Sequence, residues 1–386
     1  MPADESTCTS APRPSYVHTF SRPTIELFEA ALPTLKEESR QCIENLLRYR
    51  APRPQIKFPR SQSAAVLVPL FIGRAGDLYV LLSRRSASLR QYAGDTALPG
   101  GKVDPEDITI EDTARREAFE EIGLAPDRER VPLLCVMEPY LAGNKMVVTP
   151  VVVLILDKTM QPNLNESEVT SIFSQPLASF LASSFPFPPN RVADPSTPYH
   201  TTMELAWSGG GTIRIHRFLT GRETDGVKPV FGLTAGILIY VAAWGYGRAP
   251  DFEYQSPNAP TQAQQIASAL LAPSNPLRLA CEREAIDANM MASFVLHTPK
   301  ESNSEPGIIE WDRIGQDWRG LTEGLISKHV DVIKEEMHTD AHERQDMHKE
   351  RRERHREVDE GVKSGESEAA GRRTGLNVRK EGNAKL

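Results

Sequence analysis

Three carboxylates, Glu117, Glu120 and Glu121, stand at i, i+3 and i+4, a spacing that puts them on one face of a helix. Like charges crowded this way cost helix stability, while Ala114, Ala118 and Ile122 supply apolar contacts that anchor the helix. A cation offsets the repulsion. Hard oxygen donors of this kind suit Mg²⁺ or Mn²⁺, ions that in turn clamp phosphate oxygens. Arg116 directly precedes the first acid and can hold a carboxylate through a bidentate pair. Upstream, Gly100 and Gly101 let the backbone turn sharply and approach a ligand closely. A bare E-x-x-E-E is commonly no more than a solvated helix face. What argues for chemistry is the combination of a Gly-Gly loop, a fixed gap, and then Arg-Glu-x-x-Glu-Glu-x-Gly-Leu ending at Leu124.

The surrounding residues set the scaffold. Ala64 to Ile72 and Leu78 to Leu82 are β-branched and aromatic runs flanking Gly73 to Asp77, which predicts a strand pair with a turn. A long loop from Ser83 to Pro105 then leads into a helix over Glu111 to Ile122 that stops at Gly123. Further strands are expected around Val131 to Met137, Met146 to Leu156 and Thr212 to Leu219, and helices over Glu166 to Leu181 and Leu233 to Tyr246. Phe185 to Gly211, rich in Pro, Ser and Gly, reads as an insertion. Strands and helices mixed in one segment predict an α/β or α+β domain over residues 61–250. Ahead of it, residues 1–60 read as a helical extension in which Pro33 divides the helical spacing of Thr24 to Tyr49. Residues 251–340 form a C-terminal extension of unassigned role, with helical stretches such as Gln262 to Leu271. The last segment, 341–386, holds 22 charged side chains and no Phe, Tyr, Trp or Ile, too little apolar surface to fold alone.

The motif around the acids resembles the Nudix box, G-x5-E-x7-R-E-U-x-E-E-x-G-U, in Gly101, Arg116, Glu117, Glu120, Glu121, Gly123 and Leu124. Asp107 stands where the pattern has its first Glu, the gap to Arg116 is one residue longer, and Ala118 replaces the first bulky aliphatic. Upstream, Leu81, Leu82, Arg85, Ser86, Arg90, Gly94, Pro99, Gly100 and Gly101 match, in unbroken spacing, the signature L-L-T-x-R-S-x-x-x-R-x-x-x-G-x-V-x-F-P-G-G of coenzyme A diphosphatases, with Ser83, Thr96 and Leu98 as substitutions of similar shape. The resemblance implies a Nudix fold, an α/β/α sandwich with a mixed sheet. It implies a hydrolase that splits the diphosphate of coenzyme A or acyl-coenzyme A to 3′,5′-ADP and 4′-phosphopantetheine or its acyl form. Glu117, Glu120 and Glu121 would hold Mg²⁺ or Mn²⁺, while Arg85, Ser86, Arg90, Gly100 and Gly101 would bind substrate. Guanidinium groups are apt partners for the 3′-phosphate and diphosphate of coenzyme A. Arg84 lies outside the motif and reads as a surface ion-pairing residue. Asn165 to Val169, followed by Phe173 and Pro176-Leu177, is similar to another stretch of the same family, so Glu168 is a candidate ligand or water-orienting base, with a helix-capping acid as the alternative. Phe231 to Leu238 resembles the family's W-G-L-T-A helix and is expected to pack. Two rivals stand beside this reading: a Nudix enzyme for another nucleoside diphosphate such as ADP-ribose or a dinucleotide, and a catalytically silent Nudix scaffold.

Composition narrows the remaining classes. With 386 residues, 39% of them hydrophobic, the chain has ample material for a core, and a net charge of -7 gives no global reason to bind nucleic acid or a membrane. The basic stretch Lys349 to Arg356 is interleaved with Glu350 and Glu353 and has no aromatic for stacking on bases. The four cysteines form no CxxC pair and read as free thiols of a reducing compartment. Asp4 and Glu5 in a start without an apolar run argue against a signal peptide, and Phe231 to Trp244 is too short to span a bilayer comfortably. His200 and His216 have no partner at ligand spacing in the sequence. The terminal Ala384-Lys385-Leu386 is similar to the S-K-L address read by the peroxisomal import receptor. A peroxisomal location is therefore expected, with cytoplasm or mitochondrion as alternatives.

Overall fold

The computed structural model describes residues 35–297 apart from 52–55, 144, 158, 160–161, 185–196 and 208–209. The chain divides into two units, residues 1–309 and 310–386, and only the first contains described residues. The expected first half of the Thr24 to Tyr49 segment, the charged tail and its terminal tripeptide lie outside the described residues.

A mixed eight-stranded sheet forms the centre. Strands β1 (Ser63–Ile72), β2 (Leu78–Arg85), β3 (Thr96–Ala97), β4 (Gly100–Lys102), β5 (Leu133–Val136), β6 (Tyr140–Ala142), β7 (Met146–Ile155) and β8 (Val169–Pro176) build it. The main path runs β3-β2-β1-β7-β5, with β4 on β1, β6 on β7 and β8 on β2. Among the described residues only β1 and β7 pair in parallel, from Ser63 opposite Val147 to Phe71 opposite Ile155, and the other pairings of this sheet are antiparallel. Parallel neighbours cannot be joined by a tight turn, so the chain between them crosses the sheet through a helix, α2 (Ile110–Ile122).

Both faces of β1 and β7 are apolar, as expected for strands covered on two sides. On one face Ala65, Leu67, Val151 and Val153 pack with Ala114, Ala118 and Ile122 of α2. On the other, Val68, Leu70, Val80, Leu82, Val152 and Leu154 are equally buried. The helices on that side are α1 (Glu37–Arg48) and α3 (Gly232–Tyr246). They are joined by Asn45 donating to the Gly245 carbonyl at 2.9 Å and by Tyr49 meeting Trp244 edge-on at 5.0 Å. Gly245 has no alternative, because a Cβ there would fall on the Cys42 sulfur. The result is the α/β/α sandwich with a mixed sheet, and the N-terminal helix belongs to its outer layer.

Beyond the sandwich, α4 (Gln262–Leu271), α5 (Pro276–Arg283) and α6 (Ala288–Leu296) form a helical unit. Its core of Ile266, Leu270, Leu277, Cys281, Met291 and Val295 is shared with Val147 of β7, and Ile56, Phe58 and Leu141 pack against it. A second, three-stranded antiparallel sheet comprises β9 (His200–Ala206), β10 (Thr212–Phe218) and β11 (Val230–Phe231), in the order β11-β10-β9.

Two expectations need correction. Glu166 to Leu181 is not a helix: Val169–Pro176 pairs with β2 from Tyr79 to Arg85, followed by a short 3₁₀ turn, Leu177–Leu181. Val169, Thr170, Ile172 and Phe173 favour a pleated surface, and an open edge of β2 decides the matter. The presumed insertion also contains strand β9, paired to β10 from His200 opposite Phe218 to Ala206 opposite Thr212. This pairing brings His200 and His216 together, with His200 Nε2 2.9 Å from His216 Nδ1 and His216 Nε2 2.7 Å from the Tyr254 carbonyl. Among the described residues no helix is long and apolar enough to cross a membrane.

Candidate active site

Helix α2 carries the acids, and its ends are fixed by local chemistry. Thr109 caps the N-terminus by accepting from the Asp112 N–H at 3.1 Å, while the Asp112 carboxylate accepts from the Thr109 N–H at 2.9 Å. Gly123 ends the helix in the left-handed region, φ 68°, where a side chain would also strike Asn163. The last carbonyls are taken up by the loop beyond: Asn165 N–H donates to Glu121 O and Asn163 N–H to Ile122 O, both at 3.1 Å. That loop brings Glu168 to the site. Glu168 lies in the turn leading into β8, so the helix-capping alternative does not apply.

Glu121 points toward the sheet and is 4% exposed. Its carboxylate accepts from the Gly100 N–H at 3.2 Å and lies 3.5 Å from Arg85 Nη1. Burial pushes its carboxyl up to about 7; the Gly100 donation and the Arg85 charge pull against that, while Glu117 and Glu168 add to it. Glu117, raised in the same direction by burial, rests against Gly101, where a Cβ would fall on its carboxylate. Gly101 is thus needed for the strand and the carboxylate to approach.

Arg116 is the hub. Its Nη1 donates to Glu117 at 3.0 Å and to Glu120 at 3.1 Å, and its Nη2 to the Lys102 carbonyl at 2.9 Å. Its Nε and Nη2 form a two-pronged pair with Asp107, both at 3.0 Å. Asp107 is buried and also accepts from the Asp104 N–H at 2.9 Å and the Thr113 hydroxyl at 2.8 Å. The shorter carboxylate and the extra residue in the gap therefore serve to orient Arg116. Burial raises the Asp107 carboxyl, but the donations from Arg116, Asp104 and Thr113 outweigh it and hold it below the usual carboxylate range.

The substrate candidates divide. The alternation of β2 puts Arg85 on the α2 face beside Glu121 and Arg84 on the other, where its guanidinium lies against Gly226. Ser86 is buried, its hydroxyl paired with that of Ser88 at 2.8 Å and its N–H donating to the Glu168 carbonyl at 2.7 Å. Arg90 is exposed and has no hydrogen-bond or ion-pair partner among the described residues. The loop that bears it is tied down at its end by Lys228, which donates to Asp95 at 2.6 Å and to the Ala93 carbonyl at 2.8 Å. One structural pair escaped the sequence reading: Glu111 and Arg115, buried together at 2.7 Å, with Arg115 donating to the Val131 carbonyl at 2.8 Å. Its i, i+4 spacing was the available signal.

Among the described residues no group of three acids, histidines or cysteines is already gathered to hold a metal ion, because Arg116 draws Glu117 and Glu120 to itself. The donor set nevertheless fits a hard divalent cation. Glu121 is a desolvated carboxylate whose pKa Glu117 and Glu168 raise further, and a divalent cation would offset that repulsion.

A family model described as NUDIX domain matches residues 61–191. The chain is 35% identical over 251 residues to Nudix hydrolase 22, chloroplastic, of Arabidopsis thaliana, covering 64% of this chain and 76% of that one. Over 199 residues it is 38% identical to Nudix hydrolase 15, mitochondrial, of the same plant, covering 51% and 64%. It is 35% identical over 264 residues to peroxisomal coenzyme A diphosphatase 1 of Saccharomyces cerevisiae, covering 54% and 78%.

Proposed function

Because the chain belongs to the Nudix hydrolase family and is a hydrolase acting on diphosphate bonds, we propose that its substrate is coenzyme A or an acyl-coenzyme A. The products are 3′,5′-ADP and 4′-phosphopantetheine or its acyl form. The observation that carries this reading is the unbroken spacing from Leu81 to Gly101, whose Arg85 reaches Glu121 while Arg90 is exposed and has no partner among the described residues. The relative named as a coenzyme A diphosphatase supports it.

Glu117, Glu121 and, at the rim, Glu120 would hold Mg²⁺ or Mn²⁺. Such an ion, when bound, neutralises diphosphate charge and lowers the pKa of a coordinated water. The remaining work falls to the chain. Asp107 fixes Arg116, and Arg116 holds Glu117 and Glu120 in register with Gly101. Gly100 N–H and Arg85 orient the Glu121 carboxylate. Glu168, at the entrance to β8, raises the pKa of Glu121 and would orient water or accept its proton. Arg90, exposed at the surface, would offer its guanidinium to a phosphate. Ala384-Lys385-Leu386 would direct the enzyme to the peroxisome, in keeping with the location in the yeast relative's name.

Product analysis tests the substrate. Purified protein incubated with coenzyme A, ADP-ribose and a dinucleotide, with and without Mg²⁺, should release 3′,5′-ADP from coenzyme A alone and only with metal. Preferential cleavage of ADP-ribose or the dinucleotide would replace this reading with a different nucleoside diphosphate. No turnover of any of them would support a silent scaffold.

A further inference from the structure

Arg60 lies far in sequence from the carboxylates, in the short turn Arg60–Gln62 that enters β1. Its guanidinium donates through one nitrogen, Nη2, to three backbone carbonyls: Asp104 at 2.5 Å, Pro105 at 3.2 Å and Asp107 at 3.0 Å. These carbonyls belong to the loop whose Asp107 carboxylate clamps Arg116. Three carbonyl oxygens converging beside the acids Asp104 and Asp107 repel one another unless a cation sits among them. Arg60 is that cation.

Arg60 is itself held from the other side. Glu284, at the end of α5, accepts from the Arg60 N–H at 2.8 Å, the Ser61 N–H at 3.0 Å and the Ser61 hydroxyl at 2.7 Å. Burial raises the Glu284 carboxyl, and these donations outweigh it and hold it below its ordinary range. A continuous run of direct hydrogen bonds thus leads from α5 through Glu284, Arg60, the 104–107 loop and Asp107 to Arg116, and so to Glu117 and Glu120.

We propose that Arg60 is a positioning residue for the hydrolase, set by Glu284, and that the helical unit α4–α6 is thereby part of the machinery that orients the carboxylates. The inference rests on diphosphate hydrolysis but not on coenzyme A as the substrate. Partners hydrogen-bonded to a metal ligand typically contribute about 10–100-fold to metal affinity or activity, and Arg60, acting through Asp107 and Arg116, stands farther out, at the lower end of that range. In the full-length protein, Arg60→Ala should therefore lower kcat about tenfold and raise the Mg²⁺ concentration for half-maximal rate, while substrate KM changes less than twofold.

Two further readouts separate orientation from mere loss of fold. Millimolar guanidinium should restore part of the Arg60→Ala rate, because a free guanidinium ion can enter the three-carbonyl site. The Arg116 Nε–H resonance, slow to exchange in the wild type behind its Asp107 bond, should exchange faster in the variant without substrate or metal. Glu284→Gln, which can no longer accept all three donors, should show a smaller loss of the same kind, and the double variant should be no slower than Arg60→Ala alone. If Arg60→Ala unfolds, Arg60→Lys replaces it, with reduced kcat expected because the shorter stem leaves the ammonium short of the three carbonyls that Nη2 reaches. Wild-type kcat in either Arg60 variant, additive losses in the double variant, or an unchanged Arg116 Nε–H exchange rate would overturn the proposal. Failure of the wild type to cleave coenzyme A would refute the substrate reading and leave the exchange measurement as the test of this one.

Discussion

Glu121→Gln should silence the enzyme and, in the metal-free state, make it more stable. The wild-type carboxyl is 4% exposed and is pushed up to about 7 from the ordinary 4.5, with burial as the largest cause. A carboxyl whose folded pKa lies above its unfolded one holds its proton more tightly in the fold, so ionising it opposes folding. The penalty is absent below the unfolded value, grows between about pH 4.5 and 7, and is constant above. At about 1.4 kcal/mol per pH unit it reaches about 3 kcal/mol above pH 7. Gln keeps the shape of a protonated carboxyl, can still accept from Gly100 N–H, and carries no charge, so the variant recovers the penalty. For a core of this size that corresponds to about 5–10 °C in Tm. Thermal melts in a chelator at pH 8 and pH 4.5 provide the assay: the variant should melt higher at pH 8, and the two proteins should converge at pH 4.5. Turnover with saturating Mg²⁺ should fall by orders of magnitude in the same variant. Equal melting temperatures at pH 8 would refute the burial argument, and near-normal turnover would refute the ligand assignment.

Arg90→Ala should cost about 10–100-fold on coenzyme A with little effect on dephospho-coenzyme A, as expected for one lost charge-assisted phosphate contact. Arg85→Ala should slow both substrates alike, because its guanidinium serves Glu121; a loss confined to coenzyme A would reassign Arg85 to the 3′-phosphate. Burial lowers the pKa of His200 to about 4 and that of His216 in the same direction, so the stability that their neutral forms contribute is lost as pH falls from the unfolded value of 6.5 through that range. His200→Phe, which keeps the stacking on Phe218 and Phe252, should lose less Tm than wild type between pH 7 and pH 5, and parallel curves would refute the assignment. Deleting Ala384-Lys385-Leu386 should leave hydrolysis unchanged while dispersing an N-terminally tagged protein into the cytosol. An unchanged distribution in cells would end the peroxisomal reading.

Where local signals agreed, the sequence could be read directly. Helix α2 has its acids at helical spacing, apolar anchors behind them, a Thr-x-x-Asp cap and a terminal Gly, and it forms where expected. Strands β1, β2 and β7 carry β-branched runs bounded by turn residues and form likewise. Errors arose where long-range pairing decides. Val169–Pro176 becomes a strand because β2 offers it an edge, and His200–Ala206 does so because β10 lies beside it. The same holds for the site. Glu117, Glu121, Arg116 and Gly101 come together as the motif implies, whereas the ring contact of His200 with His216 and the grip of Arg60 on the 104–107 loop depend on contacts that no spacing rule encodes.

The sheet sandwiched between α2 on one face and α1 with α3 on the other governs where this chain can be cut. The NUDIX domain model matches only residues 61–191, and a gene trimmed to that interval loses α1 and α3 together. Val68, Leu70, Val80, Leu82, Val152 and Leu154 would then face water as one contiguous greasy wall, with Glu117, Glu120 and Glu121 still in place on the far side. Such a fragment grafted into a chimera would carry the motif intact and still clump. A recombination point that preserves a usable piece falls before Glu37 and after Leu296, so the portable module is about twice the length of the stretch matched by the family model.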